Sequence, residues 1–208
     1  MSLYPQILNE KQKDLIKDIG FLNFPPYYLS GGTALALQLG HRTSLDFDFD
    51  SNEKFDSQQL FVDAETVSRT ENTLQVVINE ISVSIFYYPY KLIDNLVNFE
   101  SIQLAGLCDI AAMKIVAIIQ RARQRDFVDM YYLIKRLGLR KVIDSVYQKY
   151  PWYLDNEMII FRSLIYFEEA DNDSEAGRIT VFDSKITWEL VKFEIKTEVD
   201  RYLVENHE

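Results

Sequence analysis

Tyr27-Tyr-Leu-Ser-Gly-Gly-Thr-Ala-Leu-Ala-Leu-Gln-Leu-Gly-His-Arg-Thr-Ser-Leu-Asp-Phe-Asp-Phe-Asp50 carries the pattern that decides the fold. Tyr27-Tyr28-Leu29 reads as a short strand running into Ser30-Gly31-Gly32, and Thr33 to Leu39 as a short helix ended by Gly40. Adjacent glycines lack Cβ atoms, so the backbone can bend sharply and approach a ligand closely. The helix start behind them offers unpaired N–H groups and a positive dipole end to phosphate oxygens. A plain tight turn uses the same two residues. Leu45 to Asp50 then alternates apolar and acidic side chains, so in a strand Leu45, Phe47 and Phe49 face one side and Asp46, Asp48 and Asp50 the other.

Three carboxylates on one strand face repel one another. A bound cation relieves that cost, and so does full solvation on an exposed edge strand. Oxygen-only ligation suits Mg²⁺, which takes one or two carboxylates and completes its octahedron with water and substrate phosphates. Asp46 and Asp48 are therefore the candidate metal ligands, and Gly31, Gly32 and Thr33 candidate nucleotide-binding residues. Thirteen residues separate Gly32 from Asp46, enough for a two-turn helix and a return loop. Turn and acidic strand are thus expected to meet at the same edge of the sheet. Arg42 is positioned to neutralise the aspartates or to hold a phosphate. His41 is either a general acid or base or a helix-end residue with a structural bond.

Outward from this stretch, residues 6–20 predict an amphipathic helix with Ile7, Leu8, Leu15, Ile16 and Ile19 on its apolar side and Gly20 at its end. Pro25-Pro26 forces an extended lead into the first strand. Further strands are predicted at 65–70, 73–79 and 81–88, the last two joined at Asn79-Glu80 as a hairpin, with a short strand near Ile102. From Leu107 the character changes. Asp109 is placed to cap one long helix reaching about Leu137, and 140–150, 155–169 and 184–205 also read as helix. Strands first and helices afterwards predict an α+β protein: a mixed-sheet core over 1–106, then a helical C-terminal portion over 107–208 packed on it.

The chain has 208 residues and 48% hydrophobic content, enough for a real core. No run of eighteen apolar residues exists and Met1 to Glu10 lacks the layout of a secretory signal, so no membrane association and a cytoplasmic address are expected. Cys108, the single cysteine, excludes an internal disulfide and a cysteine-based zinc cluster, and its apolar setting marks it as inert packing. A net charge of −10 argues against a protein that coats nucleic acid. The charge is unevenly spread: residues 1–113 hold 7 basic and 15 acidic side chains, 114–141 hold 8 and 2, and 142–208 hold 7 and 15. The basic middle either faces a phosphate-bearing substrate or is a solvated helix surface.

On one continuous helix Lys114, Ile118, Arg121 and Arg125 would fall at i, i+4, i+7 and i+11, so the three cations would share a stripe able to contact a triphosphate or a polyanionic acceptor. Lys114 is the phosphate-binding point charge of that set, with Arg121 as a further nucleotide contact. Arg125 and Asp129 could simply pair at i, i+4. Asp126 and Asp129 serve either as cap and ion-pair residues or as part of an active site.

Gly-Gly, a spacer of this length and Asp-hydrophobic-Asp-hydrophobic together resemble the signature of the polymerase-beta-like nucleotidyltransferase superfamily. More narrowly, Gly31 to Phe49 is similar to the AbiEii/AbiGii toxin family, as is Asp109-Ile-Ala-Ala-Met-Lys114 followed by Arg121 and Arg125-Asp126-Phe-Val-Asp129-Met-Tyr-Tyr-Leu. The resemblance implies Mg²⁺-dependent transfer, with one or two ions, of a nucleoside monophosphate from an NTP to an acceptor hydroxyl, RNA and possible tRNA substrates included. It also implies a toxin of a toxin–antitoxin or phage-defence pair with a cognate antitoxin, and a catalytic set of Asp46, Asp48, Lys114 and Asp126. Active members of the superfamily place a third carboxylate on a neighbouring strand. The strand expected to carry it, Ile81 to Tyr88, contains no acid; Ser82 or Ser84 stands there, and Glu80 and Asp50 are the substitutes at hand. That gap supports a second reading, a catalytically degenerate fold that binds nucleotide or protein without transfer. A third, a purely structural helical protein, leaves the acid-lined strand unexplained.

Overall fold

The computed structural model describes residues 2–20, 26–62 and 64–207. Pro25, half of the predicted extended lead, lies outside them. The first helix, α1, spans Glu10–Asp18 and starts later than its apolar periodicity implies. Asn9 and Gln12 form a reciprocal capping box that fixes the start, while Pro5–Ile7 makes a separate 3₁₀ turn. Strand β1 is Tyr27–Leu29, helix α2 Gly31–Leu39 and strand β2 Phe47–Ser51. Gly40 ends α2 in the left-handed conformation at φ 64°.

The remaining strands are β3 (Glu65–Arg69), β4 (Thr73–Ile78), β5 (Ile81–Tyr87), β6 (Val97–Phe99) and β7 (Ile102–Leu104). They form one seven-stranded mixed sheet in the order β3-β4-β5-β2-β1-β7-β6. The β4–β5 hairpin closes at Ile78↔Ile81, and Asn79 and Glu80 both adopt positive φ, 52° and 68°, as a two-residue turn matched to strand twist requires. Strand β6 has no counterpart in the sequence reading. It pairs antiparallel with β7 as a three-residue hairpin arm, too short to show an alternation.

β2 is held between β5, parallel, and β1, antiparallel. Phe47, Phe49, Val83, Ile85, Leu74 and Val76 are fully buried on one face, and Leu15, Ile16, Leu35 and Leu37 of the helices are fully buried as well. Burial of such side chains contributes about 1.5–3 kcal/mol each. Leu45 departs from the predicted apolar row. Pairing with β5 begins at Phe47↔Val83, so Leu45 and Asp46 precede the strand and Leu45 is exposed.

By contact, the chain resolves into two compact units, Met1–Gly106 and Leu107–Glu208. The second is helical: α3 (Leu107–Gln120), α4 (Gln124–Leu137), α5 (Leu139–Lys149), α6 (Glu157–Ile165), the single turn α7 (Glu168–Asp171) and α8 (Trp188–His207). The single helix predicted from Asp109 to Leu137 is broken at residues 121–123. Asp109 does not cap it. It is the third residue of α3, and its carboxylate meets Lys149 Nζ of α5 at 2.7 Å with both side chains at 0% exposure. The pair fastens α3 to α5, and the apolar residues around it, Ile110, Ala111, Val142, Ile143 and Val146, form part of the unit's core. On α8, Val191, Ile195 and Val199 at successive i, i+4 positions complete it. The overall class is α+β, a mixed-sheet unit followed by a helical portion.

Candidate functional site

Antiparallel pairing of β1 with β2, Leu29↔Phe49, places the C-terminal end of β1 beside the beginning of β2. The pairing is carried one step further by the Ser30 N–H, which donates to the Asp48 carbonyl at 2.8 Å, and the Ser30 hydroxyl donates to the same oxygen at 3.2 Å. Ser30 occupies the N-cap position of α2, yet its side chain caps none of the first-turn N–H groups. The start of α2 therefore keeps donors available on the side where the two glycines expose backbone.

Gly31 has φ 61°, and a Cβ built on it would stand 3.1 Å from Asp48 Oδ2. The absence of a side chain is what lets the turn and that carboxylate share the space. Alanine there is expected to cost about 1–2 kcal/mol from the left-handed backbone alone and to push the Asp48 carboxylate aside. A denaturant melt, together with the triphosphate affinity of the variant, checks it; an unchanged melt and affinity would reject the tight turn. At Gly32 a Cβ would come within 2.6 Å of an Arg42 guanidinium nitrogen and 3.3 Å of Ser44 Oγ.

Arg42 is only 2% exposed and donates to the Thr43 carbonyl at 2.8 Å. Its guanidinium fills the space beneath Gly32 and braces the turn. His41, its neighbour, is buried as well. The Thr33 hydroxyl is hydrogen-bonded to Ser44 Oγ at 2.8 Å and donates to the Asp46 carbonyl. Thr33 thus ties the first turn of α2 to the residue that opens the acidic segment. Asp46 and Asp48 are both partly exposed, whereas Asp50, next on the same strand alternation, is buried.

Two residues of this arrangement escaped the sequence reading. Ser44 is one. Gln12 is the other: its amide donates to the Ser44 and Leu45 carbonyls at 2.8 and 3.2 Å and pins the approach to β2. The signal was present, since Asn9-x-x-Gln12 is a capping-box pattern and Gln12 falls on the buried side of α1 with Leu15 and Ile16. On the neighbouring strand, Ser84 is the partner of Asp48 and is buried. Glu80, offered as a substitute acid, sits in the exposed hairpin turn in an ion pair with Lys11 at 2.5 Å.

Among the described residues no group of three or more His, Cys, Asp or Glu side chains forms a complete metal cage. The glycine turn, the uncapped helix start and the Asp46 and Asp48 carboxylates fit a different donor set: two protein carboxylates, with the rest of an octahedron from phosphate oxygens and water.

In the helical unit Lys114 of α3 is enclosed. Its Nζ lies 2.6 Å from Asp126 Oδ1 and 2.7 Å from Asp129 Oδ2, with the three side chains 9%, 3% and 0% exposed. The other oxygen of Asp126 is buried without a hydrogen-bond partner among the described residues. Asp126 and Asp129 are one helical turn apart on α4, which aims both at the same cation. The predicted cationic stripe does not form, because α3 ends at Gln120: Lys114 is turned inward, and Arg121 is exposed in the break.

A family model described as the nucleotidyl transferase AbiEii toxin of a type IV toxin–antitoxin system matches residues 80–188. The matched span takes in Lys114, Asp126 and Asp129; Gly31 to Asp50 precede it. A protein of Aquifex aeolicus (strain VF5), aq_aa25, is 33% identical over 94% of this chain and 98% of its own length. Among solved structures, JHP933 from Helicobacter pylori superposes with a TM-score of 0.62 at 17% identity, covering 99% of this chain and 95% of that one. MenT4, a nucleotidyltransferase toxin from Mycobacterium tuberculosis H37Rv, does so with a TM-score of 0.58 at 13% identity, covering 89% and 79%. These two likenesses establish the shared fold.

Proposed function

The chain belongs to the AbiEii family of nucleotidyl transferase toxins, and from that membership we propose that it is a Mg²⁺-dependent enzyme moving a nucleoside monophosphate from an NTP to an RNA hydroxyl. tRNA is the acceptor to try first. The setting we infer is the cytoplasm, as the toxin of a toxin–antitoxin or phage-defence pair with a cognate antitoxin. No helix among the described residues is long and apolar enough to cross a membrane. The observation that carries the reading is the Asp48 carboxylate lying against the side-chain-free Gly31 at the uncapped start of α2.

In this reading the N–H groups of Gly31, Gly32 and Thr33 bind the triphosphate, Arg42 holds their turn rigid, and Asp46 and Asp48 hold the metal. A divalent ion, when bound, neutralises phosphate charge and helps the phosphorus accept the nucleophile. The acceptor oxygen bonds to the α-phosphorus, and the bond from that phosphorus to pyrophosphate breaks. Lys114 is the cation this reading assigns to the reaction, on the family resemblance. Asp126 is the residue this reading takes as general base, on the same resemblance. Arg121, exposed, contributes a contact to nucleotide or acceptor.

One observation favours a second reading, a nucleotide- or protein-binding module without transfer: Ser84 occupies the strand position beside Asp48 and cannot act as a carboxylate base. Each of the four α-labelled triphosphates, incubated with total RNA and Mg²⁺, separates the two. Label on RNA from at least one triphosphate is the expected result. Metal-dependent triphosphate binding by calorimetry, with no labelled RNA, would replace transfer by the binding module.

A further inference from the structure

The break between α3 and α4 is surrounded by guanidinium groups and by carboxylates from far along the chain. Asp173 serves the backbone: Oδ2 accepts from the Gln124 N–H at 3.0 Å, and Oδ1 accepts from Arg123 at 2.9 Å and from the Glu175 N–H at 3.0 Å. It is almost completely buried and acts as the cap of α4. Glu175 behaves differently. Its Oε2 lies 3.4 Å from Arg178, 3.7 Å from Arg125 and 4.0 Å from Arg123. Charge-assisted hydrogen bonds are shorter, about 2.7–2.9 Å, so the Glu175 carboxylate is approached by three guanidinium groups without a short hydrogen bond to any of them.

Three like charges around one point are costly unless an anion compensates them, and one carboxylate compensates them incompletely. Counting Asp173, the group holds three positive and two negative charges; exposed Arg121 and the Glu169 carboxylate, which accepts from the Ala122 N–H at 3.2 Å, add one of each and leave one positive charge in excess. The Glu175 side chain is 35% exposed and that of Arg178 45% exposed, so this carboxylate can rotate into solvent with little loss of packing. Guanidinium groups match phosphate oxygens in planar, paired geometry, and a phosphate offers more acceptor atoms than a carboxylate.

We propose that Arg123, Arg125 and Arg178 form a phosphate-binding subsite in the helical unit, held ready by Glu175 as an exchangeable occupant. The ligand chemistry is a phosphate group, supplied by a nucleic-acid strand or by a small free phosphate. The inference requires binding alone and is independent of whether transfer takes place.

The test is fluorescence anisotropy of the full chain with a labelled single-stranded RNA oligonucleotide, without divalent metal, across a salt series, with inorganic pyrophosphate as competitor. Glu175→Gln keeps the shape and removes the competing charge, and is expected to tighten binding about three- to tenfold. Arg178→Ala is expected to weaken binding by a similar factor and to lower the slope of log affinity against log salt by about one. Calorimetric titration of the same proteins with pyrophosphate gives the second arm. Variant effects on RNA without displacement by pyrophosphate identify a strand phosphate; effects on pyrophosphate itself identify the small anion. Both results support the subsite. Affinities for both ligands unchanged within twofold in both variants, with wild-type melting temperatures, would overturn it.

Discussion

Asp48→Asn is expected to lower nucleotide transfer by about 10²–10³-fold at saturating Mg²⁺ while leaving the fold intact. Asn has nearly the shape of Asp, and the Asp48 backbone carbonyl, which accepts from both the N–H and the hydroxyl of Ser30, is unaffected. What changes is one negative charge beside Gly31. The amide keeps the size of the carboxylate and can still accept a hydrogen bond, so the melting temperature is expected to change little. Loss of activity without loss of stability is the combination that marks a group kept for function. Asp46→Asn is expected to behave alike, and the Thr33 bond to the Asp46 backbone carbonyl is untouched by it. Transfer from an α-labelled triphosphate measures the first effect. The second readout is the rise in melting temperature produced by Mg²⁺ and triphosphate in the wild type, which both variants should lose. Transfer within threefold of wild type in both variants would reject the metal assignment.

The parts of this site that could be read from the sequence are those made by neighbours in the chain. Two glycines before a helix, six residues of strict alternation and Asn79-Glu80 between two apolar runs each declare a local geometry, and each is found close to where it was expected. Leu45 marks the limit of that method. Alternation says which side chains share a face, but only pairing with β5 says where the strand begins. The break at 121–123 marks another. Arg-Ala-Arg contains no glycine or proline and would continue a helix on propensity alone. The groups that end it are remote: Asp173 accepts the Gln124 N–H and Glu169 accepts the Ala122 N–H at 3.2 Å. Caps supplied from 47 and 49 residues away leave no mark in the segment they interrupt. The consequence for the helical unit is large, since the interruption disperses the expected stripe and Asp126 and Asp129 of α4 enclose Lys114.

Lys114→Met is expected to destabilise the chain by about 3–5 kcal/mol, because it leaves two nearly inaccessible carboxylates without the cation between them. Such a loss would also reduce transfer, so by itself it does not distinguish a structural lysine from a functional one. Combining it with Asp126→Asn and Asp129→Asn does. Neutral amides remove the uncompensated charge, and the triple variant is expected to return to within about 1–2 kcal/mol of wild type. A denaturant titration measures both steps. Transfer is expected to stay abolished in the refolded triple variant, since on the proposed mechanism it has neither the Lys114 charge nor a carboxylate at 126. If stability and transfer recover together, the cluster is a buried ion-pair network that only holds α3 against α4, and its place in the chemistry is lost. If stability recovers alone, the cluster is retained for the reaction: one cation between two acids, with a carboxylate oxygen left over, is an arrangement whose value then lies in charge and proton handling rather than in folding.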